Sequence, residues 1–69
     1  MSDQLIYASV KGDLAAQPRL GSSRISVEVT EGVVVLSGTV PDDERKKLAE
    51  AIARGVKDVK GVADLLQFP

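Results

Sequence analysis

RISVEVTEGVVVLSGTV, residues 24–40, is the stretch on which the fold turns. Its first half alternates. Ile25, Val27 and Val29 fall on one side, and Ser26, Glu28 and Thr30 on the other. An extended chain sends successive side chains to opposite faces, so this half reads as a strand with one buried face. Glu31-Gly32 reads as a tight turn, with the Gly accepting a positive φ. The second half, Val33 to Val40, is the returning strand of a hairpin. Its alternation is ambiguous, because Val33 and Val35 lie on one face and Val34, Leu36 and Val40 on the other. The face with Leu36 and Val40 is the expected core face, since it leaves Ser37 and Thr39 outside. Gly38 falls on the inner face, where its missing side chain is expected to let a helix come close.

The flanking segments are helical in pattern. From Asp3 to about Ala16, Ile6, Val10 and Leu14 recur every fourth residue, with Tyr7 beside them. Ser2 is placed to cap the first open N–H groups, and Asp3 suits the positive end of the helix dipole. Gly12 costs this helix about 1 kcal/mol relative to Ala. QPRLGSS breaks the pattern as a loop, and Leu20 within it is expected to fold back on the core. PDDERKKLAEAIARGVKDVKG, residues 41–61, reads as a second helix with Asp42 as its N-cap. Leu48, Ile52 and Val56 form its stripe, flanked by Ala49, Ala51 and Ala53, small enough for close approach to a sheet. Val59 is expected to be buried just past its frayed end. VADLLQF is short, apolar and compatible with a third strand.

The order is helix, strand, strand, helix, strand. One α+β arrangement satisfies it simply: a two-layer αββαβ sandwich, with both helices on one face of a three-stranded mixed sheet. The second helix is the crossover between strands two and three, which makes those strands parallel and the connection right-handed by expectation. Whether strand three pairs with strand two or strand one is open at this level.

Composition narrows the function. Sixty-nine residues are expected to form one domain, residues 1–69, with a small core. The chain has no Cys and no His, which removes thiol chemistry and the usual general base and metal ligand near neutral pH. No catalytic residue, metal site or cofactor is expected. Asp42, Asp43 and Glu44 are better explained as helix capping than as paired catalytic acids. A net charge of −1 and 3% aromatics argue against a nucleic-acid platform. No stretch has the length of a transmembrane helix, and the N-terminus lacks the apolar core of a signal peptide. A whole chain of this kind is expected in the cytoplasm. A domain excised from a longer exported protein, with Met1 added, would instead be periplasmic or membrane-associated.

The assembled pattern resembles the BON domain family, named for bacterial OsmY and nodulation proteins. The resemblance rests on VKGDLAAQPRL before the hairpin, on ISVEVTEGVVVLSGTV, and on AEAIARGVKDVKGVADLLQF after it. The family's hairpin positions correspond to Ile25, Val27, Val29, Gly32, Val34, Leu36, Gly38 and Val40. Its later positions correspond to Ala53, Val56, Val59, Val62, Leu66 and Phe68. Asp58 stands where the family usually has Gly, which bears on the turn into strand three. Phe68 replaces a smaller aliphatic and is expected to alter core volume only. The resemblance implies the same fold and a non-enzymatic binding or assembly module of envelope and stress proteins, with phospholipid an often proposed ligand. It brings no catalytic residues, because its shared positions are packing and turn positions.

Two groups remain as candidate contact residues. Val33, Val35 and Leu65 are expected on the sheet face that no helix covers, among Arg24, Ser26, Glu28, Ser37 and Thr39. Lys47, Arg54 and Lys57 are expected to share the outer face of the second helix, with Asp43 and Glu50 there to compete for them. The expected partner is an anionic phospholipid surface or another protein domain, a second copy among them. A KH-like nucleic-acid module is the alternative, but the G-x-x-G loop it needs is missing. A purely structural domain of a larger envelope protein is the other alternative.

Overall fold

The computed structural model describes residues 2–69, leaving Met1 outside. The order is α1 (Asp3–Ala15), a 3-10 turn (Pro18–Leu20), β1 (Arg24–Thr30), β2 (Val33–Thr39), α2 (Asp43–Arg54) and β3 (Gly61–Asp64). The sheet runs β1-β2-β3, with β1 and β2 antiparallel and β2 and β3 parallel. This is the expected α+β two-layer arrangement, and it decides the open question: strand three pairs with strand two.

Both helix starts are capped as their sequences dictate. Ser2 Oγ accepts from the Leu5 N–H at 3.3 Å, and Asp42 Oδ1 accepts from the Arg45 N–H at 2.9 Å. Asp3 does more than sit at the dipole. Its two carboxylate oxygens accept from the Glu31 and Gly32 N–H groups at 2.8 and 2.9 Å. Those donors belong to the hairpin turn, so one side chain ties the start of α1 to the β1–β2 connection. Glu31 and Gly32 both have positive φ, 49° and 81°, the combination that matches a two-residue turn to the right-handed twist of a hairpin.

The core lies between the sheet and the two helices. Ile6, Val10 and Leu14 of α1 share one buried cluster with Val34, Leu36 and Val40, and Leu20 belongs to it as expected. Ile25, Val27 and Val29 are half-buried because β1 is an edge strand. On α2 the deepest residues are Ala49 and Ala53, each 0% exposed, while Leu48 and Ile52 are half-buried and Ala51 is exposed. The expected stripe is therefore rotated: the alanines form the contact ridge, and the larger residues pack beside it.

Four further expectations change. Gly38 is not open for a helix. Its φ is +114°, and a Cβ there would collide with the Arg24 carbonyl oxygen of β1. The close neighbour is the paired strand. The second helix ends at Arg54 rather than running on towards Gly61, because Gly55 caps it and the chain turns. Val59 is half-buried against the core rather than fully buried. Phe68 is outside the core at 48% exposure, with the Lys46 ammonium 5.6 Å from its ring centre. It follows the last backbone bridge to β2, at Gln67, and so lies beyond the layer it would fill. Asp58, in place of the family's Gly, adopts φ 69°. Asp visits this region more readily than most residues, so the turn into β3 survives the replacement.

Candidate functional site

β-Strand parity places the open face of the sheet. With Val34 and Leu36 in the core, Val33 and Val35 point away from the helices. The register sets Val33 beside Gly61 and Val35 beside Ala63, and the Thr39–Gln67 bridge keeps the same alternation. Leu65 therefore shares the open face, one step beyond Ala63. Val33 is 38% exposed, Leu65 60%, and Val35 half-buried. The structure brings these three residues together as one strip. Ala63 belongs to it and was not singled out from the sequence, although the parity that places Leu65 places it too, because a single methyl gives little apolar signal.

The border is polar and mixed in charge. Across β1, Thr30 stands opposite Val33, Glu28 opposite Val35, Ser26 opposite Ser37 and Arg24 opposite Thr39. One acid and one base thus flank the apolar strip, with hydroxyls between them.

The basic group does not join this surface. Lys47 and Arg54 lie on α2, in the opposite layer. Lys47 Nζ stands 3.1 Å from Asp43, and Arg54 stands 3.3 Å from Glu50. Exposed pairs of this kind add little stability, about 0–1 kcal/mol, but they do offset each other's charge locally. Lys57 is not on the helix at all. It sits in the turn after α2, so the shared outer face expected for Lys47, Arg54 and Lys57 does not form. Helical phase could not group the three once the helix stopped at Arg54.

The described residues offer no deep polar site. None of the buried residues is polar or charged. No group of three or more His, Cys, Asp or Glu side chains is placed to hold a metal ion among the described residues. No described helix is long and apolar enough to cross a membrane. A cleft of about 650 Å³ lies where Asp3 meets Glu31 and Gly32, with Asp58 and Lys60 at its margin. Its central carboxylate is already committed to two backbone N–H groups.

Comparison with known proteins agrees with this architecture. The chain is 38% identical over 65 residues to osmotically-inducible protein Y of Escherichia coli K12, a match covering 94% of this chain and 32% of that protein. Its fold is similar to the C-terminal domain of CdsD, the structural protein of the Type III secretion system of Chlamydia trachomatis. That match has a TM-score of 0.77 and 17% identity, and covers 100% of this chain and 35% of the other. The chain thus spans about a third of the length of each. The BON domain model matches residues 2–69, and with the αββαβ layering and the hairpin glycines in place, the chain belongs to the BON domain family.

Proposed function

We propose that this chain is a non-enzymatic binding and assembly module whose open sheet face seats another protein domain. The observation that carries this is the contiguous strip Val33, Val35, Ala63 and Leu65 on the face without helices, inside a rim of mixed charge. An anionic lipid surface is less well served. Arg45, Lys47 and Arg54 of α2 lie in the other layer beside carboxylates, whereas headgroup binding draws about 1 kcal/mol from each basic residue free to face the membrane.

Size indicates how such a contact works. Seven residues in each of β1 and β2 and four in β3, each covering ~3.4 Å by ~4.8 Å, give a face of roughly 290 Å². A stable free complex needs about 800 Å² per partner. This face therefore suits a partner held nearby, where tethering supplies an effective concentration on the order of millimolar. The relatives are about three times longer than this chain, which gives such a module neighbours to dock.

The experiment uses a second copy as the partner domain and anionic vesicles as the competing surface. Raising the concentration from micromolar to millimolar is expected to shift the amide resonances of Val33, Val35, Ala63 and Leu65. The V33T/V35T variant keeps the fold and loses those shifts, and the parent does not co-sediment with phosphatidylglycerol vesicles. Vesicle binding that survives V33T/V35T, or no concentration-dependent shift on this face, would count against the reading.

A further inference from the structure

A second surface borders the open face. β1 is an edge of the sheet, so one side of it has no strand neighbour. Thr30 and Val33 flank the two-residue turn, and such a pair exchanges both backbone hydrogen bonds. Alternation then directs the N–H and C=O groups of Ser26 and Glu28 towards β2. Those of Ile25, Val27 and Val29 point to the free edge. The same alternation holds on β2, where the Leu36 and Gly38 carbonyls accept from Leu65 and Gln67 at 2.8 and 3.0 Å. Exposed edges are commonly blunted by brevity, Pro or charged side chains, Lys above all. β3, at four residues, is short. β1 has seven residues and no Pro, and its two charges, Arg24 and Glu28, are of opposite sign.

A groove of about 190 Å³ runs between α1 and this edge. Leu14, Leu20, Ile25 and Val27 supply its apolar wall. Ser23 lines it too, and its Oγ is buried with no hydrogen-bond partner among the described residues.

The helix layer selects the occupant. α1 packs over β1, and α2 over β3. A helix about 10–12 Å across, centred over the edge strand, overhangs it by roughly 5 Å, close to the ~4.8 Å width of one strand. The space below accepts one extended segment. It does not accept a second copy paired β1 to β1 in the antiparallel sense, which sets both α1 helices on the same face. Two α1 helices would then stand about 5 Å apart, short of the 8–10 Å that packed helices require. The occupant is therefore a strand without a helix layer of its own.

Charge sets the occupant's pattern. Arg24 and Glu28 lie on the open-face side, at the positions where side chains of an added antiparallel strand come closest. An acid belongs opposite Arg24 and a base opposite Glu28. Residues opposite Ile25 and Val27 turn towards the groove and belong to the apolar class. Read from its N-terminus, the segment is basic, apolar, polar, apolar, acidic. We infer that the free edge of β1 takes an extended peptide segment of this pattern as a fourth, antiparallel strand beneath α1.

Arg24-Ile25-Ser26-Val27-Glu28 has this same pattern and supplies the probe. A capped peptide SRISVEVT is titrated against the whole chain, beside the charge-exchanged peptide SEISVRVT. SRISVEVT is expected to slow amide exchange at Ile25, Val27 and Val29 at least tenfold, and SEISVRVT to bind at least tenfold more weakly. Val27→Pro removes an N–H that faces outward, a placement an edge strand tolerates, so the chain folds and binding is lost. R24E/E28R reverses the preference between the peptides, a gain that a misfolded protein cannot show. Equal binding of both peptides, unchanged binding by V27P, or no protection at the three amides overturns the inference. A dimer of the whole chain disrupted by V27P overturns it as well, because the overhang of α1 would then not exclude a second copy.

Discussion

Replacing Gly38 by Ala sets a Cβ against the Arg24 carbonyl oxygen, with the carbonyl carbon 3.1 Å away. The obstacle is the backbone of β1, so no rotamer change relieves it. Gly38 also has φ +114°, a region nearly closed to residues with a Cβ, at a cost of about 1–3 kcal/mol. Moving β1 aside loosens the pairing of Arg24 with Thr39 and of Ile25 with Gly38. One or two backbone hydrogen bonds, at about 1 kcal/mol each, are then weakened. The expected loss is about 3–5 kcal/mol. A chain of 69 residues has a total stability of about 3–10 kcal/mol. G38A thus removes a large fraction of it, and the melting temperature falls by at least ~12 °C. The assay is urea unfolding followed by circular dichroism. Gly12 and Gly61 are the controls, because a Cβ at either meets nothing within 4 Å. G12A, in the middle of α1, should stabilise by about 0.5–1 kcal/mol, and it provides a background in which G38A is still folded enough to measure. A G38A midpoint within about 0.5 kcal/mol of the parent, or equal to that of G61A, would refute the account of Gly38 as a strand-contact glycine.

Other substitutions test other joints of the structure. Glu31 holds φ 49° at the first turn position, so Glu31→Asn, which favours that conformation before Gly, should stabilise by about 0.5–1 kcal/mol in the same urea assay. Ala53 is fully buried between α2 and the sheet, so Ala53→Leu should cost about 1–3 kcal/mol by forcing the helix outward. Ala51→Leu, on the exposed side of the same helix, should stay within about 0.5 kcal/mol; equal effects at the two positions would contradict the rotated contact ridge.

Much of this molecule was determined by local sequence. The bounds of β1, the two-residue turn, the caps at Ser2 and Asp42 and the inward set Val34, Leu36 and Val40 all follow from periodicity and side-chain chemistry within a few residues. The outward direction of Val33 and Val35 follows from the same parity. Other features were decided only by elements meeting in space. The partner of β3 depends on which edge of the hairpin the crossover reaches, and both edges offer the same backbone groups. Asp3 looked like a residue for the helix dipole, because the N–H groups it accepts from lie 28 and 29 residues away. Gly38 looked like room for a helix, since neither its φ nor the approach of Arg24 is written in its neighbours. Lys57 was assigned by extending the helical periodicity past the point where the chain turned, and Phe68 by a family position that lies beyond the layer it would fill. Periodicity reports how a residue points while its element lasts; only packing determines where the element stops and what stands against it.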